Sequence, residues 1–245
     1  MKADPRLAKY FSGEDERRRV TRTMFDEAAP GYDAAERLTG LGTGPWYRKE
    51  VLKRNGLRNG MHILDVAAGT GLVTRAARDI VGTEGRVLAL DPSPGMLAEL
   101  RKKIDVEIIE GYAEDIPLPD CQVDFVSMGY ALRHVGDIDR AFSEYHRVLR
   151  AGGQVCLMEI SLPQNRVGRW LLTAYIRGVV PLLSRILGQR ADIGRLWEYY
   201  GATINAAIDP EAMLGALRKV GFVDVRCSVT LGIFREYLAT RPVET

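Results

Sequence analysis

Cysteine is scarce in this chain, and the three that occur, Cys121, Cys156 and Cys227, stand far apart without the paired spacing that a metal ion needs. Cys156 falls in a strand-like apolar pattern where a buried, reduced thiol is the expected state, and a reducing cytoplasm fits that usage. Charge of one sign is lacking too: 34 basic residues against 32 acidic ones leave a net charge of +2, which excludes wholesale attraction to nucleic acid. The amino-terminal Met1-Lys2-Ala3-Asp4-Pro5 has no apolar signal core, and no apolar run is long enough for a membrane span. Repeats and low-complexity segments are also missing. What is present is 245 residues with 46% hydrophobic content, enough for one large core, in alternating strand and helix patterns that predict a single α/β domain with appended helices.

The most informative stretch is His62-Ile-Leu-Asp-Val-Ala-Ala-Gly-Thr-Gly71. Ile63, Leu64 and Val66 read as a strand buried on both faces. Gly69 and Gly71 then remove Cβ atoms that would hold a ligand off the backbone, and Leu72–Ile80 continues as a helix. A dinucleotide turn would read G-x-G-x-x-G, whereas Ala67, Gly69 and Gly71 give A-x-G-x-G, and the Lys-Ser/Thr pair of a P-loop is missing. By itself this leaves the cofactor open, and a turn whose glycines serve packing alone is the alternative.

A second strand, Arg86–Leu90, ends at Asp91, about twenty residues after the turn, where a carboxylate can accept hydrogen bonds from the vicinal hydroxyls of a ribose. Ser93 caps the next helix with Pro94 at its first position and Met96, Leu97 and Leu100 on its apolar face. A third strand, Val106–Ile109, leads into the acidic loop Glu110–Asp120, and Val123–Ser127 forms a fourth. Acceptors on that loop suit an adenine edge, and no basic cluster awaits a pyrophosphate, which tilts the choice from NAD to S-adenosylmethionine.

Asp65–Gly71, Asp91, Glu110–Asp120 and Val148–Val155 resemble the successive motifs of class I S-adenosylmethionine-dependent methyltransferases. Phe25–Asp33, Tyr130-Ala-Leu-Arg-His134 and Glu159-Ile-Ser-Leu-Pro163 resemble, more narrowly, the ubiquinone/menaquinone-biosynthesis C-methyltransferase family, with the likeness running from about Val20 to Phe222. The resemblance implies a Rossmann-like, seven-stranded, mostly parallel sheet with helices on both faces. It divides one methyltransferase domain into an N-terminal helical lid (1–56), a cofactor core (57–163), a helical substrate cover after the fifth strand (164–207) and a C-terminal helix with a strand pair (208–245). It implies S-adenosyl-L-methionine as cofactor, with Thr70 and the Gly69 and Gly71 backbone at its methionine part, Asp91 on the ribose, and Asp65 and Ala67 also in the cofactor site. Met96, Tyr112, Ala113 and Gly129 complete the cofactor set. Tyr112 stands where the family usually has aspartate, so the adenine amino contact passes to a neighbour such as Asp115, or Tyr112 offers its ring.

For catalysis the resemblance points to Arg133, His134 and Tyr32, the last reaching over the cofactor from the lid together with Asp33. Arginine stays protonated and is a poor base, so Arg133 reads as an electrostatic clamp on a phenolate. His134, replacing the family's asparagine, is a second candidate to accept a proton. The plain structural alternative pairs both with Asp137 or Asp139. The implied acceptor is a hydrophobic aromatic or quinol-like small molecule.

Elsewhere, Arg17–Ala28, Trp46–Asn55, Ile138–Leu149 and Pro210–Val220 read as helices, Val155–Ile160 as the fifth strand, and Val223–Val229 with Ile233–Ala239 as an antiparallel pair closing the sheet. Residues 164–195 combine Trp170, Leu171 and other apolar residues with six arginines and a single acid, Asp192, and Pro181 should divide them into two helices. This cover could line a prenyl-chain channel and touch an anionic membrane surface, or pack on its own domain or on a second subunit as a homodimer. Thr203-Ile204-Asn205 and the histidine-free Gly232–Tyr237 depart from the quinone enzymes. The competing functions are an O-, N- or C-methyltransferase of natural-product biosynthesis, an NAD(P)-dependent oxidoreductase, and a non-catalytic cofactor-binding or assembly protein. Against the oxidoreductase, no Tyr-x-x-x-Lys pair stands out, since Leu149 follows Tyr145.

Overall fold

The computed structural model describes residues 13–39, 42–161, 163, 165–179 and 209–243. Its centre is a seven-stranded sheet in the order β3-β2-β1-β4-β5-β7-β6. β1 (His62–Val66), β2 (Arg86–Asp91), β3 (Glu107–Glu110), β4 (Val123–Gly129) and β5 (Leu149–Ile160) are parallel neighbours. β7 (Phe234–Thr240) runs antiparallel to β5 and to the edge strand β6 (Val223–Thr230). β1 and β2 are buried on both faces, Ile63, Leu64, Leu88 and Leu90 being fully enclosed, as a parallel strand between two helix layers requires.

Helices α3 (Gly44–Arg54) and α4 (Leu72–Val81) cover one face, where Val51, Leu52 and Ala77 pack with Ile63 and Phe125. On the other, α6 (Ile138–Val148) and α8 (Pro210–Val220) set Phe142, Tyr145 and Leu217 against Leu64, Val126 and Leu157. α5 (Pro94–Arg101) follows β2, and Ser93 caps it as expected, its Oγ accepting from Met96 N at 3.1 Å. Connections from β1 build outward through β2 to β3, and the chain then returns to lay β4 on the other side of β1. That reversal opens a crevice at the carboxyl ends of β1 and β4, the usual ligand position in such sheets.

Several element bounds differ from the sequence reading. The amino-terminal helix α1 (Glu14–Ala28) passes through a 3-10 turn at Ala29–Gly31 into an unforeseen second helix, α2 (Tyr32–Thr39). β5 begins six residues before Val155, because Gly152, at φ 76, lets the chain bulge between the pairs Val123↔Leu149 and Phe125↔Gln154. After β5, α7 (Arg166–Ala174) starts at an Asn165 cap and continues as a π turn through Val179. Pro181, the arginines from Arg185 onward and Thr203–Asn205 lie outside the described residues.

Candidate active site

The crevice widens into a cavity. Its floor is Ala67 and Gly69 after β1, Asp91 and Ser93 after β2, and Gly129 and Tyr130 after β4. α1 and α2 close it from above with Arg17, Arg18, Phe25 and Tyr32. Two wall residues that are not glycine, Ala67 (φ 54) and Tyr130 (φ 61), adopt left-handed backbone, a conformation that costs on the order of 1 kcal/mol and clusters at functional sites. Gly69 is also left-handed, and a Cβ built there meets nothing within 4 Å, so its backbone is open to a ligand. Gly129 lines the cavity for a different reason: a Cβ there would strike Val73 Cγ2 at 2.6 Å, which makes it a packing glycine.

Asp91 is the cavity's central charge. Its Oδ2 accepts from Gly69 N and its Oδ1 from Ser93 N, each at 2.8 Å, and each oxygen keeps a lone pair for a further donor. Burial pushes its carboxyl up to about 6, opposed by those two amides and assisted by Asp26 nearby.

The other expected cofactor residues divide into two groups. Met96 and Tyr112 line the cavity with Ala67, Gly69 and Asp91. Asp65 does not: fully buried, it accepts from Thr74 Oγ1 at 2.7 Å and Ser127 Oγ at 2.8 Å, tying β1 to α4 and β4, and burial pushes it up to about 6. The Thr70 hydroxyl turns to Asp33 Oδ1, 2.5 Å away, and Asp33 also takes Lys103 at 2.9 Å, so this pair fastens α2 to the glycine turn. Gly71 is the left-handed residue opening α4, and Ala113 belongs to the core. In the acidic loop, Glu114 is the buried acid that lines the cavity, while Asp115 is exposed.

Arg133 and His134 form a 3-10 turn with Leu132 after β4. Asp137 caps α6, Asp139 pairs with Lys219, and Arg133 reaches across to β5. Its Nη1 donates to Glu159 Oε1 at 2.6 Å, at the carboxyl end of β5. His134 lines the cavity with its ring edge-on to Phe25, 5.3 Å between centroids. Burial first, then Arg133 and Arg17, hold this imidazole well below the usual histidine range, so it is neutral at physiological pH and a weak base. Tyr32 lines the cavity from the head of α2.

The sequence reading missed the contribution of α1. Arg18 lies 4.9 Å above the Tyr112 ring and pairs with Glu114 at 3.4 Å, Arg22 pairs with Glu110 at 3.0 Å, and Arg17 donates to the His134 carbonyl at 3.1 Å. Asp26 accepts from Ser93 Oγ at 2.6 Å and Gly95 N at 2.8 Å. The available signal was the alternation of arginines at 17, 18 and 22 with Phe25 along one helix, a pattern equally typical of a solvated face.

These residues suit a nucleoside joined to a positive sulfonium: a buried carboxylate for ribose hydroxyls, an open glycine backbone, and a wall with the aromatic side chains Phe25, Tyr32 and Tyr130. Among the described residues no cluster of histidine, cysteine or acid could hold a metal ion.

The model of the ubiE/COQ5 methyltransferase family matches residues 12–241. A demethylmenaquinone methyltransferase of Symbiobacterium thermophilum is 32% identical over 220 residues, covering 86% of this chain and 87% of the relative. A ubiquinone/menaquinone biosynthesis C-methyltransferase, UbiE, of Hahella chejuensis is 30% identical over 205 residues and 81% of each chain. In fold, the crystal structure of an S-adenosylmethionine-dependent methyltransferase from Aquifex aeolicus superposes with a TM-score of 0.59 at 20% identity, covering 79% of this chain and 88% of that one. With residues 12–241 matched by one family model, this chain belongs to the ubiE/COQ5 methyltransferase family and uses S-adenosylmethionine.

Proposed function

We propose that this enzyme methylates a ring carbon of a lipophilic demethylated hydroquinone of the ubiquinone/menaquinone type. S-adenosylmethionine, when bound, supplies a methyl group already activated by the positive sulfonium. The protein's task is then placement, for which well-oriented intramolecular models give roughly 7 kcal/mol or more. Asp91 takes the ribose hydroxyls, the Gly69 backbone and Tyr32 bound the methionine end, and Tyr112 with Glu114 bounds the adenine. The acceptor's hydroxyl gives its proton to water as the ring carbon takes the methyl group, and the proton on that carbon is then lost to water as the ring regains aromaticity, one proton being released overall. Arg133 stabilises the charge that develops on the ring oxygen meanwhile, and neutral His134 orients that oxygen by hydrogen bonding.

The observation that carries this reading is the position of the Arg133–Glu159 pair, at the carboxyl ends of β4 and β5 and next to the cavity wall at Tyr130. That is the side on which an acceptor can approach a methyl group held over β1 and β4. The same reading gives the exposed face of α7 a role. Val167, Trp170 and Leu171 share one side of the helix and are 69%, 68% and 55% exposed, with Arg166 and Arg169 beside them. Such a face suits an anionic membrane surface, where a prenylated acceptor resides. Among the described residues no helix is long and apolar enough to cross a membrane.

The test is incubation with the methyl donor and a reduced, short-chain demethylated naphthoquinone, followed by mass spectrometry. One added methyl group is expected. A preparation that binds S-adenosylhomocysteine yet leaves every such hydroquinone unmethylated overturns the proposal.

A further inference from the structure

Glu159 has no part in the cofactor set and carries an unexplained feature. It ends β5, is 8% exposed, and uses one oxygen twice: Oε1 accepts from Arg133 Nη1 at 2.6 Å and from Ile160 N at 2.9 Å. Its other oxygen, Oε2, is buried with no hydrogen-bond donor among the described residues. A buried carboxylate oxygen without a donor is rare in folded proteins and unfavourable, so a donor that arrives with a ligand is a direct physical account of it.

The topology says which ligand. Gly129 pairs with Met158, and Tyr130 N donates to the Met158 carbonyl at 2.8 Å, so Glu159 follows directly on the strand that flanks the cavity's β4 wall. Asp91 and Gly69 hold the nucleoside on the other side of that wall, over β1 and β2. Glu159 therefore stands on the acceptor's side of that wall. An arriving hydroxyl meets a carboxylate whose other oxygen is already fixed by a guanidinium and by its own strand end, so little side-chain ordering remains to be done on binding. The chemistry it recognises is a neutral ring hydroxyl: a carboxylate accepts from O–H, repels a phenolate, and gains nothing from an ether.

We propose that Oε2 of Glu159 accepts the hydrogen bond of the one acceptor ring hydroxyl that stays neutral during transfer, fixing the ring's orientation toward the methyl group, with Arg133 holding the carboxylate in place. The inference rests on the hydroxylated aromatic acceptor proposed above and adds the residue that selects it.

The test measures binding of naphthol and of its methyl ether to the protein saturated with S-adenosylhomocysteine, for wild type and Glu159→Gln. Wild type should bind naphthol about tenfold or more tightly than the ether, the discrimination expected of a hydrogen bond to a charged group. Glu159→Gln should bind both alike, with its affinity for S-adenosylhomocysteine unchanged. With the hydroquinone substrate, the variant should show raised KM and lowered kcat together. Wild-type protein that does not distinguish naphthol from the ether, or a variant that keeps the distinction, overturns the assignment. Because binding is read without turnover, failure here is separate from failure to methylate a hydroquinone.

Discussion

At Asp91, burial and ligand recognition pull in opposite directions. The carboxyl is pushed up to about 6 from an unfolded value near 3.8, so the folded, unliganded protein binds a proton that the unfolded chain releases. The penalty is fully present above pH 6 and fades as pH falls toward 4, amounting to about 2 to 3 kcal/mol over that window. The melting temperature of the unliganded protein should therefore gain as pH falls from 7 to 5, and Asp91→Asn should flatten that gain, read by calorimetric scans. The same substitution should weaken S-adenosylhomocysteine by about tenfold or more, because charged acceptors for the ribose hydroxyls are lost. Arg133 behaves differently, since its guanidinium is engaged with Glu159 and does not line the nucleoside cavity. Arg133→Lys keeps the charge but loses the planar fork. It should lower kcat by about a hundredfold and leave S-adenosylhomocysteine affinity unaltered in a calorimetric titration.

At the level of elements, α1 and α2 are fastened over the cavity by side chains and not by a deep apolar seam. Asp26 grips the amino terminus of α5, Arg18 and Arg22 reach the acidic loop, and Asp33 holds Thr70. Asp26 is the member with the best geometry, accepting from a helix amide and a capping serine, a position worth about 1 to 2 kcal/mol. Asp26→Ala should speed dissociation of S-adenosylhomocysteine about tenfold in stopped-flow measurements and raise amide exchange across residues 14–39, with the sheet unaffected. The opposite end of the site depends on α7. If its exposed apolar face meets lipid, the protein should co-sediment with vesicles containing anionic phospholipid and not with neutral ones, and added salt should release it. Trp170→Ala should reduce that binding several-fold without changing the melting temperature.

For the molecule as a whole, what could be read from the sequence was what short-range chemistry decides. The double-faced apolar runs of β1 and β2, the Ser93-Pro94 cap and the acid at Asp91 are local patterns, and each lies where it was expected. The antiparallel β6–β7 pair was legible from its alternation and the intervening turn. Long-range pairing was not. Asp65 carries the family's motif position, yet its carboxylate serves Thr74 and Ser127 in the core, and only the packing of α4 and β4 on β1 decides that. Glu114 and Asp115 are adjacent acids that the sequence could not rank. The chain's turn at the Tyr112–Asp115 bridge sends one inward and the other to solvent. The departure at Gly232–Tyr237 is partly structural as well, because Glu236 is fully buried and accepts from Tyr47 at 2.7 Å and from Asn55 at 3.2 Å, fastening α3 to β7.

The measurement that bears most directly on this account is the position of a carbon-13 label after transfer from methyl-labelled S-adenosylmethionine to a reduced, short-chain demethylated naphthoquinone. The product's NMR spectrum should show the label as a methyl on the ring carbon, its protons correlating with ring carbons, and reduced about tenfold in the Asp91→Ala variant under subsaturating donor. A label found as a methoxy group, or no labelled product from protein that binds S-adenosylhomocysteine, would contradict it.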